Sequence, residues 1–191
     1  MKPIDPIILK IPEIVQIAIK EKLMHKNFAW HFIPYISFDV LTPQFFQFFH
    51  DITRPEEIAD KEIFLIIQPI IEFVETSLNI KVIKTHRIKA NLMVRTSFIE
   101  NDLKILLHKD IMDGDKVENL YRNWISMVYY VDDSDGDTVL LEDDKRTIFM
   151  KSAPVGGNLC IFNSEKWHRS TPPQLNQRRV IINFILEIIE I

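Results

Sequence analysis

The sequence predicts a mainly β protein with flanking α-helices, and two observations carry this prediction. From Ile80 onward, apolar and polar residues alternate with a period of two, and β-branched and aromatic residues dominate, as in half-buried strands. Polar turn clusters divide this part of the chain into eight short strands, a number that suits a jelly roll, the double-stranded β-helix of cupin-like proteins. The predicted strands are Lys81–Thr85, Arg87–Thr96, Lys104–His108, Trp124–Val131, Thr138–Leu141, Thr147–Lys151, Asn158–Phe162 and Arg179–Glu187.

The part of the chain before these strands predicts helical and loop support. Its best helix is predicted from Pro55 to Leu78, with Thr53 as the N-cap, because isoleucines recur there at spacings of three and four residues. Pro69 leaves open a kink or a division into two shorter helices. At 191 residues, the chain predicts a single domain over 1–191, with residues 1–79 as support and residues 80–191 as the jelly-roll core.

Composition and charge limit the classes of partner. The formal net charge is -4 and the sequence pI is about 5.9, so no general electrostatic attraction to nucleic acid or to an anionic membrane is expected. The stretch Lys81–Arg95 is the only local basic feature, and it is interpreted first as a solvated strand face. Nucleic acid and membrane are therefore not expected among the partners.

The single cysteine and the apolar runs predict a cytoplasmic protein. Cys160 excludes an internal disulfide and lies in an apolar strand, where a buried and inert thiol is expected. The N-terminus shows no signal-peptide pattern. The longest apolar run, Ile63–Ile71, is much shorter than the roughly 20 residues that span a bilayer.

A candidate metal site follows from His108, Asp110 and His168. Residues at i and i+2 of a strand point to the same face, so His108 and Asp110 can converge on one ion. His168 follows a later strand and can supply the third ligand. Two histidines and one carboxylate on one face of an octahedron leave three positions open, as in iron(II) enzymes that activate oxygen. The His-x-Asp tripeptide alone is a weak signal, for which a surface pair is the ordinary explanation.

The order of the features around this tripeptide resembles the 2-oxoglutarate and iron(II)-dependent oxygenase superfamily over about Lys89 to Leu186. The resemblance is strongest to its prolyl-hydroxylase-like branch, including short proteins of phages and marine microbes. It implies a jelly-roll oxygenase that uses iron(II), 2-oxoglutarate and O2, with ascorbate as a further candidate cofactor, and that hydroxylates its substrate while 2-oxoglutarate is converted to succinate. It also implies His108, Asp110 and His168 as metal ligands and catalytic residues. The matching elements are Lys89–Leu92, His108–Asp110, Ile125–Val131, Asp135–Thr138, Pro154–Phe162, His168 and Arg179–Phe184.

The same resemblance implies a basic residue on the last strand that binds the distal carboxylate of 2-oxoglutarate. Arg179 aligns best and shares its face with Asn183, whereas Arg178 is the reserve. Arginine suits this role because its planar guanidinium holds a carboxylate through two parallel hydrogen bonds. The alternative is that both arginines are solvated or pair with the acidic turn after Tyr130. Asn91 and Asn183 are further candidates for cofactor binding, Asn91 also for substrate binding, and a solvent-facing strand is the alternative for Asn91.

The substrate is not identified by the sequence. A prolyl or other peptidyl side chain is the first expectation, a free amino acid or small metabolite the second, and an alkylated nucleobase the third. Two other classes stay open: a jelly-roll binding or structural protein without chemistry, and a zinc hydrolase that uses the same three side chains.

Overall fold

The computed structural model of the chain describes residues 4–34, 45–98, 103–104, 106–111 and 123–191. Their strands form two antiparallel sheets. In spatial order, the larger sheet contains β1 (Ile7–Lys10), β9 (Asn158–Asn163), β6 (Asn123–Tyr130), β11 (Arg178–Glu190), β5 (Ile80–Val94), β3 (Gln47–Arg54) and β2 (His31–Ile33), with β4 (Glu57–Ile58) paired to β3. The smaller sheet contains β10 (His168–Ser170), β7 (Thr138–Leu141) and β8 (Ile148–Ser152).

One face of the larger sheet is covered by the helices α1 (Glu13–Leu23) and α2 (Lys61–Leu78). Alternate residues of the central strands point into this layer, and Ile182 and Phe184 of β11 are fully buried there. Burial of each such side chain contributes roughly 1.5–3 kcal/mol, so this layer holds much of the stability of the fold. Among the described residues, neither helix has a stretch long and apolar enough to traverse a bilayer.

The opposite face of the larger sheet packs on the smaller sheet. Val128, Phe162 and Ile181 of the larger sheet meet Leu140 of the smaller sheet in a second apolar cluster. Cys160 belongs to this cluster, and burial raises the pKa of its thiol to about 11, in agreement with the inert thiol expected from the sequence. The polar side chains discussed below point into the same space between the two sheets.

Most of the predicted strands after residue 80 are confirmed, with two differences. The two strands predicted on either side of His86 are one continuous strand, β5, and the irregularity appears instead as register shifts in its pairing with β11. The strand predicted over Lys104–His108 is wrong. Leu107 N–H donates to the carbonyl of Lys104 in a turn, and His108 forms only an isolated bridge with His168.

The N-terminal prediction missed the strands β1 to β4 and misplaced the start of the long helix. Residues 47–58 form the hairpin β3–β4, in which Glu56 has a positive φ of 65°, so Thr53 lies in a strand and is not an N-cap. The carboxylate of Asp60 caps α2 instead by accepting the N–H of Ile63 at 3.0 Å. Helix α2 continues through Pro69 as a single helix.

Candidate active site

The three side chains predicted to bind metal converge at one end of the space between the sheets. Nitrogen atoms of His108 and His168 and a carboxylate oxygen of Asp110 all lie within 4.8 Å of one another, and together they could hold a metal ion. His168 Nε2 is 3.4 Å from Asp110 Oδ2, and His108 Nε2 is 3.8 Å from Asp110 Oδ1. The carboxylate thus presents one oxygen to each imidazole.

Backbone hydrogen bonds bring these residues together. His108 and His168 exchange two bonds of 3.0 Å between their N–H groups and carbonyls, and the N–H of Asp110 donates to the carbonyl of Ser164 at 3.0 Å. Phe45 packs against Leu106 just before the motif. The i and i+2 argument therefore gave the correct convergence, although the local structure is a bridge followed by a loop and not a regular strand.

The ring nitrogens are oriented as metal binding requires. The Nδ1 atoms of His108 and His168 lie 2.8 and 2.9 Å from the carbonyls of Leu106 and Lys166. Because a carbonyl only accepts, each Nδ1 carries the proton, and each Nε2 has its lone pair free for a metal. Burial and the neighbouring His108 lower the pKa of His168 to about 4, which keeps the ring neutral at pH 7.

Asp110 is an anion held in a buried position. Its side chain is only 2% exposed. Burial opposes the charged form, but the two imidazoles, the hydroxyl of Ser126 and the guanidinium of Arg87 lower the pKa of Asp110 below its ordinary value. A buried carboxylate beside two imidazoles is a donor set that suits a divalent iron ion.

Sequence reasoning missed a pair of serines behind Asp110. The hydroxyl of Ser126 donates to Asp110 Oδ2 at 2.5 Å and lies 2.9 Å from the hydroxyl of Ser164, and both serines are fully buried. The available signal was the isolated Ser126 in the apolar strand from Ile125 to Val131, because a buried hydroxyl has to find a partner.

We expect Ser126→Ala to weaken binding of iron(II) by about 10- to 100-fold, the usual effect of removing a group that orients a metal ligand. An anaerobic titration with iron(II) measures the effect. Ser97→Ala, on an exposed residue, is the control and should bind iron as the wild type does. Equal affinity of the Ser126→Ala variant and the wild type would show that Asp110 is oriented without this bond.

The two arginines that competed for one role face opposite ways. Arg178 is exposed, and its guanidinium lies 3.3 Å from the carboxylate of Asp132. Arg179 is only 1% exposed and points between the sheets, where its Nη2 donates to Thr138 Oγ1 at 2.8 Å. Its Nε has no hydrogen-bond partner in the part of the chain that the structure describes. A buried guanidinium with an unused donor fits a carboxylate ligand.

Residues around Arg179 complete a polar recess. The hydroxyl of Tyr130 bonds to Thr138 at 2.8 Å and to Ser152 at 2.9 Å, and the Arg179 guanidinium lies 5.7 Å from the centre of the Tyr130 ring. Gly136, in the acidic turn before Thr138, packs against this recess. A Cβ at position 136 would lie 2.4 Å from the carbonyl of Thr171 and 2.9 Å from the side chain of Arg179.

Asn91 and Asn183 share the face that carries Arg179. Asn91 pairs with Ile181 in the strand register and is 7% exposed, and Asn183 pairs with Lys89. The side-chain oxygens of both asparagines are buried without a hydrogen-bond partner among the described residues. The alternative of a solvent-facing strand is therefore wrong for this face of β5.

Residues 95–187 match the family model of the 2OG-Fe(II) oxygenase superfamily. The matched segment is 93 of the 191 residues, slightly less than half of the chain, and it is similar to that superfamily. The protein is therefore an oxidoreductase that uses iron(II), 2-oxoglutarate and O2, and the centre formed by His108, Asp110 and His168 agrees with this cofactor set.

Solved structures similar to this oxygenase confirm the jelly-roll fold. One is an oxidoreductase of the 2OG-Fe(II) oxygenase family from Burkholderia pseudomallei, with 14% identity, a TM-score of 0.60, and coverage of 95% of this chain and 84% of that one. Another is a prolyl hydroxylase from Trichoplax adhaerens in complex with a peptide fragment of hypoxia inducible factor, with 10% identity, a TM-score of 0.57, and coverage of 95% and 83%. A third is SnoN, an α-ketoglutarate-dependent epimerase from nogalamycin biosynthesis, with 8% identity, a TM-score of 0.59, and coverage of 97% and 77%. A search of curated proteins gave no match.

Proposed function

We propose that this oxygenase hydroxylates a peptidyl side chain, with a prolyl side chain as the first candidate, and that His108, Asp110 and His168 bind its iron. The observation that supports the metal assignment is that both imidazoles direct Nδ1 to a backbone carbonyl and Nε2 to the buried carboxylate of Asp110. The peptidyl substrate is proposed by analogy with the Trichoplax adhaerens enzyme, whose structure contains a peptide fragment. The similarly scored epimerase shows that this fold also serves other reactions.

Each residue of the site has a distinct task in this proposal. His108 and His168 supply neutral nitrogen ligands, and Asp110, oriented by Ser126, supplies the negative charge that retains a divalent ion. Arg179, with Thr138 and Tyr130 beside it, binds the distal carboxylate of 2-oxoglutarate. Iron held there would activate O2, the oxidant, whose four electrons would come in equal parts from 2-oxoglutarate, which leaves as succinate and carbon dioxide, and from the C–H bond that is hydroxylated.

The protein also protects the site from water and leaves one side open. Val128, Leu140, Phe162 and Ile181 form an apolar wall between the sheets, close to the metal ligands and to Arg179. The side chain of His108 is 34% exposed, whereas those of Asp110 and His168 are almost fully buried. We infer that a substrate approaches from the side of His108.

Anaerobic addition of iron(II) and 2-oxoglutarate to the protein tests the proposal directly. We expect a weak visible charge-transfer band that requires both components, followed after admission of O2 by succinate formation that prolyl peptides stimulate, with ascorbate present to maintain turnover. Free proline and an alkylated oligonucleotide serve as comparison substrates. Absence of the band would remove the metal proposal, whereas stimulation by one of the comparison substrates alone would remove the peptidyl substrate and leave the chemistry intact.

A further inference from the structure

Two cationic side chains of β5 lie beside the candidate metal site, on the face of the strand that points into the jelly roll. Arg87 and Lys89 are on the face of β5 that also carries Asn91, and both are partly buried. Arg87 Nη2 is 3.9 Å from Asp110 Oδ1. Lys89 Nζ is 5.6 Å from the centre of the Phe49 ring on the neighbouring strand. The sequence suggested that this basic stretch is solvated, but these two members of it face the interior of the jelly roll.

These two cations have few anions to compensate them. Lys89 forms no ion pair with any described residue, and Asp51, which lies opposite it on β3, pairs with Arg54 at 3.0 Å. Burial, together with the charge of Arg87, lowers the pKa of Lys89 to about 8, although Asp51 and Asp110 act in the opposite direction. Two like charges that are adjacent and partly buried are stabilised when an anion binds between them.

Metal binding increases this excess of positive charge. When Asp110 binds iron, as the proposed function requires, its negative charge is shared with the metal, and Arg87 retains no other ion pair among the described residues. The distal carboxylate of 2-oxoglutarate does not compensate the pair. Arg179 lies opposite Met93, four residues from Lys89 on β5, which corresponds to about 13 Å along the strand.

Asn91 and Asn183, on the same inward face of the sheet, indicate a second chemical group that the ligand carries. The side-chain oxygens of Asn91 and Asn183 are hydrogen-bond acceptors without a partner in the described structure, and Asn183 is directly opposite Lys89. A ligand that presents a carboxylate to Lys89 and an N–H group to an asparagine would satisfy both needs. Amino acids and peptides combine these two groups.

We propose that Arg87 and Lys89 form a subsite for a carboxylate carried by the substrate, close to the carbon that is oxidised. This inference rests on the proposed function and refines its substrate class. The carboxylate belongs either to the C-terminus of a free or terminal amino acid or to an acidic side chain next to the target residue in a peptide.

A binding experiment on the loaded enzyme tests the subsite without the need for turnover. The protein is first saturated with Mn(II) and 2-oxoglutarate in the absence of O2, and each ligand is then titrated by calorimetry. One pair of probes is free proline and prolinamide, and the other is acetyl-Pro-Glu-amide and acetyl-Pro-Gln-amide. The members of each pair differ in one carboxylate. The pair whose charged member binds more tightly shows whether the bound carboxylate is a C-terminus or an acidic side chain.

We expect the loaded wild type to bind the charged member of one pair about 10- to 100-fold more tightly, as a charge-assisted hydrogen bond implies. Lys89→Met keeps the length of the side chain and should remove this preference, whereas Lys89→Arg should restore it. Lys84→Met, on an exposed lysine of the same strand, should retain it.

Several outcomes would overturn the subsite. These are equal binding or no binding of both members in both pairs by the loaded wild type, an unchanged preference in Lys89→Met, and a loss of 2-oxoglutarate affinity alone in that variant, which would assign Lys89 to the cosubstrate. Failure of the proposed metal and cosubstrate site appears earlier, because the protein would then not take up Mn(II) and 2-oxoglutarate.

Discussion

Asp110→Asn is expected to lower the rate of succinate formation by about a thousandfold or more. The substitution keeps the shape of the side chain but removes the only charged member of the proposed metal set. Polarisation by a bound metal is worth several kcal/mol, and each 1.36 kcal/mol corresponds to about a factor of ten in rate. Iron titration should show the same loss as a weaker or absent binding isotherm.

The controls for Asp110→Asn separate chemistry from folding. Because the surroundings lower the pKa of Asp110, its charged carboxylate stabilises the fold at pH 7, and the metal-free variant should unfold at a somewhat lower temperature than the metal-free wild type while remaining folded at the assay temperature. Asp143→Asn changes an exposed aspartate of a turn and should leave both iron binding and turnover intact. Wild-type succinate formation by Asp110→Asn would exclude Asp110 as a metal ligand.

The sequence predicted the second half of the fold well because its signals are local. Strands β6, β7 and β9 carry uninterrupted apolar or alternating patterns bounded by turn residues, and their observed limits differ from the predicted ones by at most one residue. Short strands such as β1 have too few residues for a period to emerge. They form because an edge of the larger sheet is available, which is a tertiary effect.

The start of the long helix was misplaced because two local signals competed. Glu56 and Glu57 resemble a first helical turn after Thr53, whereas the aromatic run before them forms β3 by pairing with β5. Pairing over this distance is invisible to a local window, and it carries residues 51–58 into a hairpin. Asp60 then provides the N-cap in its place.

For the candidate site, too, the sequence predicted the residues of local motifs but not their partners from other strands. The His-x-Asp spacing and the later His168 were sufficient to nominate three side chains, since the family pattern fixes their order. The partners of these side chains could not be predicted, because Ser126 reaches Asp110 from another strand and Arg87 reaches it from a third. The choice between Arg178 and Arg179 depended on which face of β11 points inward, and a single residue of register decides that face.

Arg179→Met is expected to raise the KM for 2-oxoglutarate by about 30-fold or more, because removing one partner of a buried charge pair costs roughly 2–5 kcal/mol. Arg179 is buried and donates to Thr138, and no ion pair joins it to a carboxylate among the described residues. In the proposed function, that partner is the distal carboxylate of 2-oxoglutarate. The affinity for iron(II) measured without 2-oxoglutarate should change much less, because Arg179 is not a member of the candidate metal set.

Thermal unfolding distinguishes this binding role from a structural one. A ligand that binds only the folded protein stabilises it according to its concentration relative to its Kd, so 2-oxoglutarate should raise the unfolding temperature of the metal-loaded wild type but not that of Arg179→Met. Without 2-oxoglutarate the variant should be about as stable as the wild type, since methionine removes a buried charge that lacks an ion pair. Arg178→Met is the matched control: its exposed pair with Asp132 contributes little, and both the KM and the thermal shift should stay within about twofold of the wild type. If Arg178→Met instead loses the thermal shift while Arg179→Met retains it, the carboxylate binds on the outer face of β11, and the recess around Tyr130 and Thr138 has a structural role only.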